Sequence, residues 1–267
     1  MKYELFISDF DWTLGLAPDK IEPETVEAIK EYEKKGGIFV ICTGRSYCSI
    51  KAVADKYGLG GLIVCFQGAL GVDTRSNSTI FSGGMSKTDT IDMLTDLLSF
   101  GVETGVYIDD LFHYESSGLG IKEYERLVGF SGKKVDNLIE FVKNTPLQVR
   151  KCLAIMDSEK KKEVMQILSK KYDGRLIVNS SSTYFLEVVN PEWSKGRAVK
   201  RIAEYFNIPL SKVIAVGDSL NDKELVEGEW HGVVTGDGME EVKPFAKEIT
   251  VDFKDQPVKT LLEKYCL

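Results

Sequence analysis

Two histidines, His113 and His231, and no CxxC pair among five scattered cysteines leave this 267-residue chain without the donors of a soft-metal site. Cys42, Cys48, Cys65, Cys152 and Cys266 are odd in number, so they read as reduced, mostly buried thiols and not as a disulfide framework. Positive charge is in deficit: the net charge is -7 and the isoelectric point lies near 5.1. That excludes a broad basic face built to neutralise nucleic-acid phosphates. No apolar run approaches the roughly 18 to 20 residues needed to cross a bilayer, and no hydrophobic leader follows Met1, Lys2, Tyr3 and Glu4. A cytoplasmic protein with no membrane partner is expected. Repeats, low-complexity tracts and flexible linkers are also missing, and nothing in the pattern speaks to oligomeric state.

What is present is ordinary globular composition, 43% hydrophobic and 28% charged, enough to bury a sizeable core. The length suits one large α/β domain or a core carrying an inserted lobe. Tyr3 to Ser8 is apolar and β-prone. A helix begins near Pro23, which suits a first turn, and ends at Gly36 and Gly37. Ile38 to Cys42 is too short for a helix and reads as the second strand. Ser46 to Tyr57 is the next helix, and Leu62 to Phe66 the next strand. The same rhythm returns late, with a helix over Lys195 to Phe206 and short buried strands over Val213 to Val216 and His231 to Val234. Such alternation predicts a parallel, Rossmann-like sheet flanked by helices, whose ligands lie beyond the carboxyl ends of the strands.

From about Met85 to Tyr184 the pattern changes to helices mixed with alternating strands, such as Gly105 to Tyr107, Leu111 to Tyr114 and Val149 to Ile155. The reading is an α/β core over residues 1–84 and 185–267, interrupted by an α+β insertion over residues 85–184. Lys160, Lys161 and Lys162 read as a solvated helix face.

Four short clusters fall at expected strand ends or helix starts. Asp9 and Asp11, two apart in Asp9-Phe10-Asp11-Trp12-Thr13, can present both carboxylates to one small volume, although an acidic capping loop would look the same. Thr43, Gly44 and Arg45 place a hydroxyl and an unencumbered amide just before a helix, where an anion cradle or a simple N-cap at Ser46 both fit. Lys195, between Ser194 and Gly196, can reach into the strand-end crevice or sit in solvent. Gly217-Asp218-Ser219-Leu220-Asn221-Asp222 supplies hard-ion ligands, or a helix-capping box, after another strand. Each signal alone is weak. Together they assemble one acidic, anion-binding crevice.

These residues resemble the haloacid dehalogenase superfamily, specifically Cof-like phosphatases with a type II, subclass B cap. The family's Asp-x-Asp-x-Thr is similar to Asp9, Asp11 and Thr13; its strand-end Thr or Ser to Thr43; its lysine to Lys195; and its Gly-Asp-x-x-Asn-Asp to Gly217, Asp218, Asn221 and Asp222. The resemblance implies a phosphatase acting on a small phosphorylated metabolite, with Asp9 as nucleophile and Asp11 as general acid and base. It implies Mg²⁺ held by Asp9, the Asp11 main-chain carbonyl and Asp218, with Asp222 supporting the site. It also implies that the Phe10 amide, Thr43, Gly44, Lys195 and Asn221 surround the phosphoryl oxygens.

Two positions depart from the family. Trp12 replaces a usual glycine, and Gln67 stands before Gly68 and Ala69 where asparagine is common. The inserted lobe would cover the crevice and select the leaving group, with Asn190 a candidate contact. A phosphotransferase or phosphomutase on the same scaffold, or a metabolite-binding regulator without turnover, are the competing readings.

Overall fold

The computed structural model describes residues 1–180 and 182–267. The chain begins with β1 (Leu5–Ser8), α1 (Pro23–Lys34), β2 (Ile38–Cys42), α2 (Tyr47–Tyr57) and β3 (Leu62–Cys65), then turns through a hairpin, β4 (Leu70–Asp73) and β5 (Ser78–Ser82). There follow α3 (Lys87–Ser99), β6 (Glu103–Ile108), β7 (Leu111–Tyr114), α4 (Leu119–Val128), β8 (Lys133–Lys134), α5 (Leu138–Asn144), β9 (Val149–Ile155), α6 (Ser158–Lys171), β10 (Ile177–Ser180) and β11 (Phe185–Val189). The last stretch holds α7 (Lys195–Tyr205), β12 (Val213–Gly217), α8 (Lys223–Val226), β13 (His231–Val234), β14 (Glu248–Ile249) and α9 (Pro257–Tyr265).

These elements form two compact units, one of Met1–Ser82 with Ser194–Leu267 and one of Gly83–Trp193. The boundary therefore differs from the expected 85–184. Phe185–Val189 pairs antiparallel with both Ile177–Ser180 and Val149–Ile155, so its ladder hydrogen bonds tie residues 185–189 to the second unit and not to the core.

In the first unit the sheet runs in the order β14-β13-β12-β1-β2-β3-β4-β5, parallel from β14 to β3 and antiparallel through the β4–β5 hairpin. β1 and β12 are buried along their whole length, as expected of strands covered on both faces. Leu5, Ile7, Val40, Val64, Val213 and Ala215 pack against Ala198, Val199 and Ile202 of α7. α1 starts at Pro23, whose missing N–H costs nothing in a first turn. α2 ends at Gly58 in the left-handed conformation, φ 66°. The chain builds outward from β1 through β2 and β3, then returns to build through β12 and β13 on the other side. β1 is thus the switch point, and loops leaving β1, β2 and β12 splay around one crevice.

The second unit packs a sheet in the order β10-β11-β9-β6-β7-β8. Val106, Cys152, Ala154 and Val188 meet Leu94, Leu97, Val164 and Leu168 from the helices. Lys161 corrects the expectation of a solvated lysine face: it is buried, and its ammonium donates to Ser180 Oγ at 2.6 Å and to the Ser182 carbonyl. Asn190 spends its amide on backbone, donating to the Gly84 carbonyl at 2.9 Å and accepting from the Glu192 N–H at 2.8 Å. Its side chain stitches the ends of the second unit together. Among the described residues no helix is long and apolar enough to cross a membrane.

Candidate active site

The Asp9 N–H donates to the Val216 carbonyl at 2.9 Å, which extends the β1–β12 pairing one residue and fixes where the loop begins. The Phe10 carbonyl then accepts from the N–H groups of Thr13, Leu14 and Gly15, folding the loop tightly back. Thr13 turns its hydroxyl onto Asp218 Oδ1 at 3.0 Å, so the loops after β1 and β12 are joined beside the two aspartates. Asp9, Asp218 and Asp222 each place a carboxylate oxygen within 4.8 Å of the others.

Lys195 lies among them, fully buried at the first turn of α7. Its Nζ is 2.5 Å from Asp9 Oδ1 and 2.5 Å from Asp222 Oδ1. Ser194 caps that helix, accepting from the Arg197 N–H. Asp222 spends its other oxygen on the N–H groups of Asp218 and Ser219, at 3.1 and 3.2 Å. It therefore organises the Asp218 loop as well as the lysine. That closeness requires Gly217, where an added Cβ would fall 2.5 Å from the Asp222 Cβ.

Three carboxylates facing one ammonium leave an excess of negative charge. Burial holds the Asp9 carboxyl well above the usual carboxylate range, with repulsion from Asp222 adding to it and Lys195 opposing. Burial, then Asp222, pushes Asp218 up to about 7. Lys195 is raised above the usual lysine range because its two carboxylate partners outweigh its own desolvation. Burial sends the nearby Cys42 thiol up to about 12, which removes it as a nucleophile. Crowded, dehydrated oxygen donors of this kind fit a hard divalent cation, whose charge would relieve the repulsion.

On the other flank, Asp11 leaves the acidic cluster. Its carboxylate is gripped by Arg45, with Nε to Oδ2 at 2.9 Å and Nη2 to Oδ1 at 2.6 Å. Arg45 also donates to the Pro18 carbonyl and lies 4.4 Å above the Phe10 ring. Thr43 Oγ1 accepts from the Arg45 N–H at 3.2 Å. Gln67, buried between Gly44 and Asn221, donates its N–H to the Thr43 carbonyl and takes the Asn221 amide at 3.5 Å. An added Cβ at Gly44 would fall 2.4 Å from the Gln67 amide, so any larger residue here would have to push that side chain aside. Asn221 is further held by the Ser219 hydroxyl at 2.6 Å. Thr43, Gly44, Lys195, Asn221, Asp9, Asp218 and Asp222 thus belong to one contiguous web of contacts.

A family model of haloacid dehalogenase-like hydrolases matches residues 6–262. The chain belongs to the haloacid dehalogenase-like hydrolases. The HMP-PP phosphatase of Serratia proteamaculans is 24% identical, over 93% of this chain and 89% of its own. A haloacid dehalogenase-like hydrolase structure from Bacteroides thetaiotaomicron shares the fold with a TM-score of 0.86 at 23% identity, covering 98% of this chain and 99% of its own. The structure described as the subclass IIB sugar phosphatase BT4131 does so with a TM-score of 0.83 at 19% identity, covering 98% of both chains.

Within this haloacid dehalogenase-like hydrolase, Arg45, Gln67 and Thr13 are close partners of the expected site residues. Arg45 was visible only as the residue after Thr43-Gly44, and nothing in its spacing pointed at Asp11. Trp12 explains the family's usual glycine at its position: its φ is 60°, a left-handed backbone that favours glycine. Phe66, Gln67 and Gly68 share this feature, with φ of 51°, 58° and 104°, which ends β3 one residue short of its expected Phe66.

Proposed function

We propose that this hydrolase is a Mg²⁺-dependent phosphatase in which Asp9 attacks the phosphorus of a small phosphorylated metabolite. The observation that carries the proposal is the buried Lys195 ammonium bridging Asp9 and Asp222 beside Asp218. That arrangement orients a nucleophilic carboxylate and leaves uncompensated oxygen donors for a cation, with the Lys195 ammonium held beside the nucleophile. The names of the phosphatase relatives point to the same class of substrate.

In the first half-reaction an Asp9 oxygen bonds to phosphorus while the bond to the leaving oxygen breaks, and Asp11 delivers a proton to that oxygen. In the second, Asp11 takes a proton from water, the water oxygen attacks phosphorus, and Asp9 leaves as a free carboxylate. Arg45 pairs with both Asp11 oxygens in this fold, so one of them leaves the guanidinium to carry the proton while the other keeps the carboxyl oriented. Thr43, the Gly44 and Phe10 amides, Lys195 and Asn221 surround the phosphoryl oxygens. Asp9, the Asp11 carbonyl and Asp218 are the residues that would hold Mg²⁺, which when bound neutralises charge between nucleophile and phosphate. Asp222 supports them by holding Lys195 and the Asp218 loop. The unit Gly83–Trp193 carries the role of the family's substrate-selecting cap.

Purified protein assayed for phosphate release across phosphorylated sugars, cofactors and nucleotides, with and without Mg²⁺, tests the proposal. Mg²⁺-dependent release that vanishes in Asp9→Asn is expected. Release unaffected by Asp9→Asn would overturn the mechanism, and no release from any ester would overturn the activity.

A further inference from the structure

Asp11 and Trp12 leave the same loop in different directions, Asp11 onto Arg45 of the loop after β2 and Trp12 onto Phe253 of the segment after β14. The indole and the Phe253 ring meet edge to face, 5.8 Å apart at 68°. Phe253 is itself anchored: its N–H donates to Asp237 Oδ1 at 2.9 Å, and two residues further along that loop the Met239 N–H donates to the Asp218 carbonyl at 2.8 Å. Trp12 is anchored too, with its N–H on the Gly15 carbonyl at 2.9 Å and the hydroxyl of the next residue, Thr13, on Asp218.

We infer that the Trp12 indole, propped edge to face on Phe253, is an aromatic platform that selects phosphate esters whose leaving group carries a flat ring. The inference rests on the phosphatase reading above and specifies the chemistry of its substrate. A lone exposed aromatic is common on protein surfaces and by itself means little. Trp12 differs in three respects. It occupies a left-handed backbone that strains every side chain with a Cβ, so glycine would serve the turn better. The strain brings no burial in return, because 60% of the residue faces solvent. Its backbone lies on the loop that carries Asp9 and is tied to Asp218 through the neighbouring Thr13, its ring rests on a segment held by Asp237 of the loop after β13, and it is one residue along the chain from the proposed acid Asp11. A rigid exposed indole loses little entropy when a planar group stacks on it, and strain retained beside a reacting centre is the pattern of a functional residue.

The test compares kcat/KM for pyridoxine 5′-phosphate, with a flat heteroaromatic ring, and for glucose 6-phosphate, with a puckered aliphatic one. Trp12→Gly relieves the backbone and removes the indole, while Trp12→Phe keeps a ring. The platform predicts that the ratio of the two kcat/KM values, flat over puckered, falls about tenfold in Trp12→Gly through KM and is largely restored in Trp12→Phe. A ratio unchanged within about twofold, as when both esters suffer equally from a merely structural change, overturns it. Calorimetric titration of both esters into Asp9→Asn protein, with and without Trp12→Gly, decides the matter independently of turnover. Weaker binding of the flat ester alone supports the platform; equal changes overturn it. Absence of phosphate release from any ester would instead count against the phosphatase reading, leaving this binding arm to judge the platform.

Discussion

Arg45 grips both oxygens of Asp11, Nε on one at 2.9 Å and Nη2 on the other at 2.6 Å, across 34 residues of sequence. The paired geometry fixes the plane of the carboxyl as well as its position. Arg45→Ala frees that carboxyl to rotate. It is expected to lower kcat by about 10- to 100-fold with a smaller change in KM, while Arg45→Lys, a point charge without the fork, recovers only part. Steady-state phosphate release checks this, and an unchanged kcat would show that Asp11 needs no clamp.

Asp9→Asn removes the attacking oxygen but keeps shape and volume. Turnover is expected to fall by about four orders of magnitude or more. The substitution also removes one of three crowded carboxylates, so the folded protein should not lose stability in the absence of Mg²⁺. Single-turnover assays and chemical denaturation read the two effects. Activity within about tenfold of the parent would exclude Asp9 as nucleophile.

Lys195→Met leaves Asp9 and Asp222 buried and facing each other without their shared ammonium. Breaking a buried ion pair from one side costs about 3 to 5 kcal/mol, and the expected loss in unfolding free energy is of that order. Urea denaturation measures it. A loss below about 1 kcal/mol would mean that the two carboxylates take up protons or water at little cost.

Burial, with repulsion from Asp222 adding to it, pushes the Asp218 carboxyl up to about 7 from an ordinary value of 3.8. The folded protein therefore holds this proton more tightly than the unfolded chain does. The resulting stabilisation is fully present below the ordinary value and is lost as the pH climbs through about 7. A cation competes with that proton, so Mg²⁺ should raise Tm more at about pH 8 than at about pH 6, and Asp218→Asn should shrink the difference. Thermal melts at both values check it, and equal shifts would place the cation elsewhere.

Much of this was legible in sequence because the parallel core announces itself locally. Ile38 to Cys42 and Val213 to Val216 are runs too short and too apolar for anything but buried strands, and each ends where the chemistry begins. The hairpin over Leu70–Asp73 and Ser78–Ser82 was not legible, since Gly71 breaks its alternation and the second strand is largely exposed. The assignment of residues 185–189 also failed. An apolar strand carries no mark of which sheet it will join, and only its pairing with Val149–Ile155 decides that.

The sequence by itself determined that Asp9, Thr43, Lys195 and Asp218 stand at strand ends or a helix start, because local periodicity and turn chemistry dictate where elements stop. Only the tertiary structure decided that Lys195 is shared between Asp9 and Asp222, that Arg45 holds Asp11, and that Trp12 rests on Phe253. Those pairs lie 186, 27 and 34 residues apart or are joined through distant loops. Spacing along a chain carries no information about such distances until the order of strands around β1 folds them together.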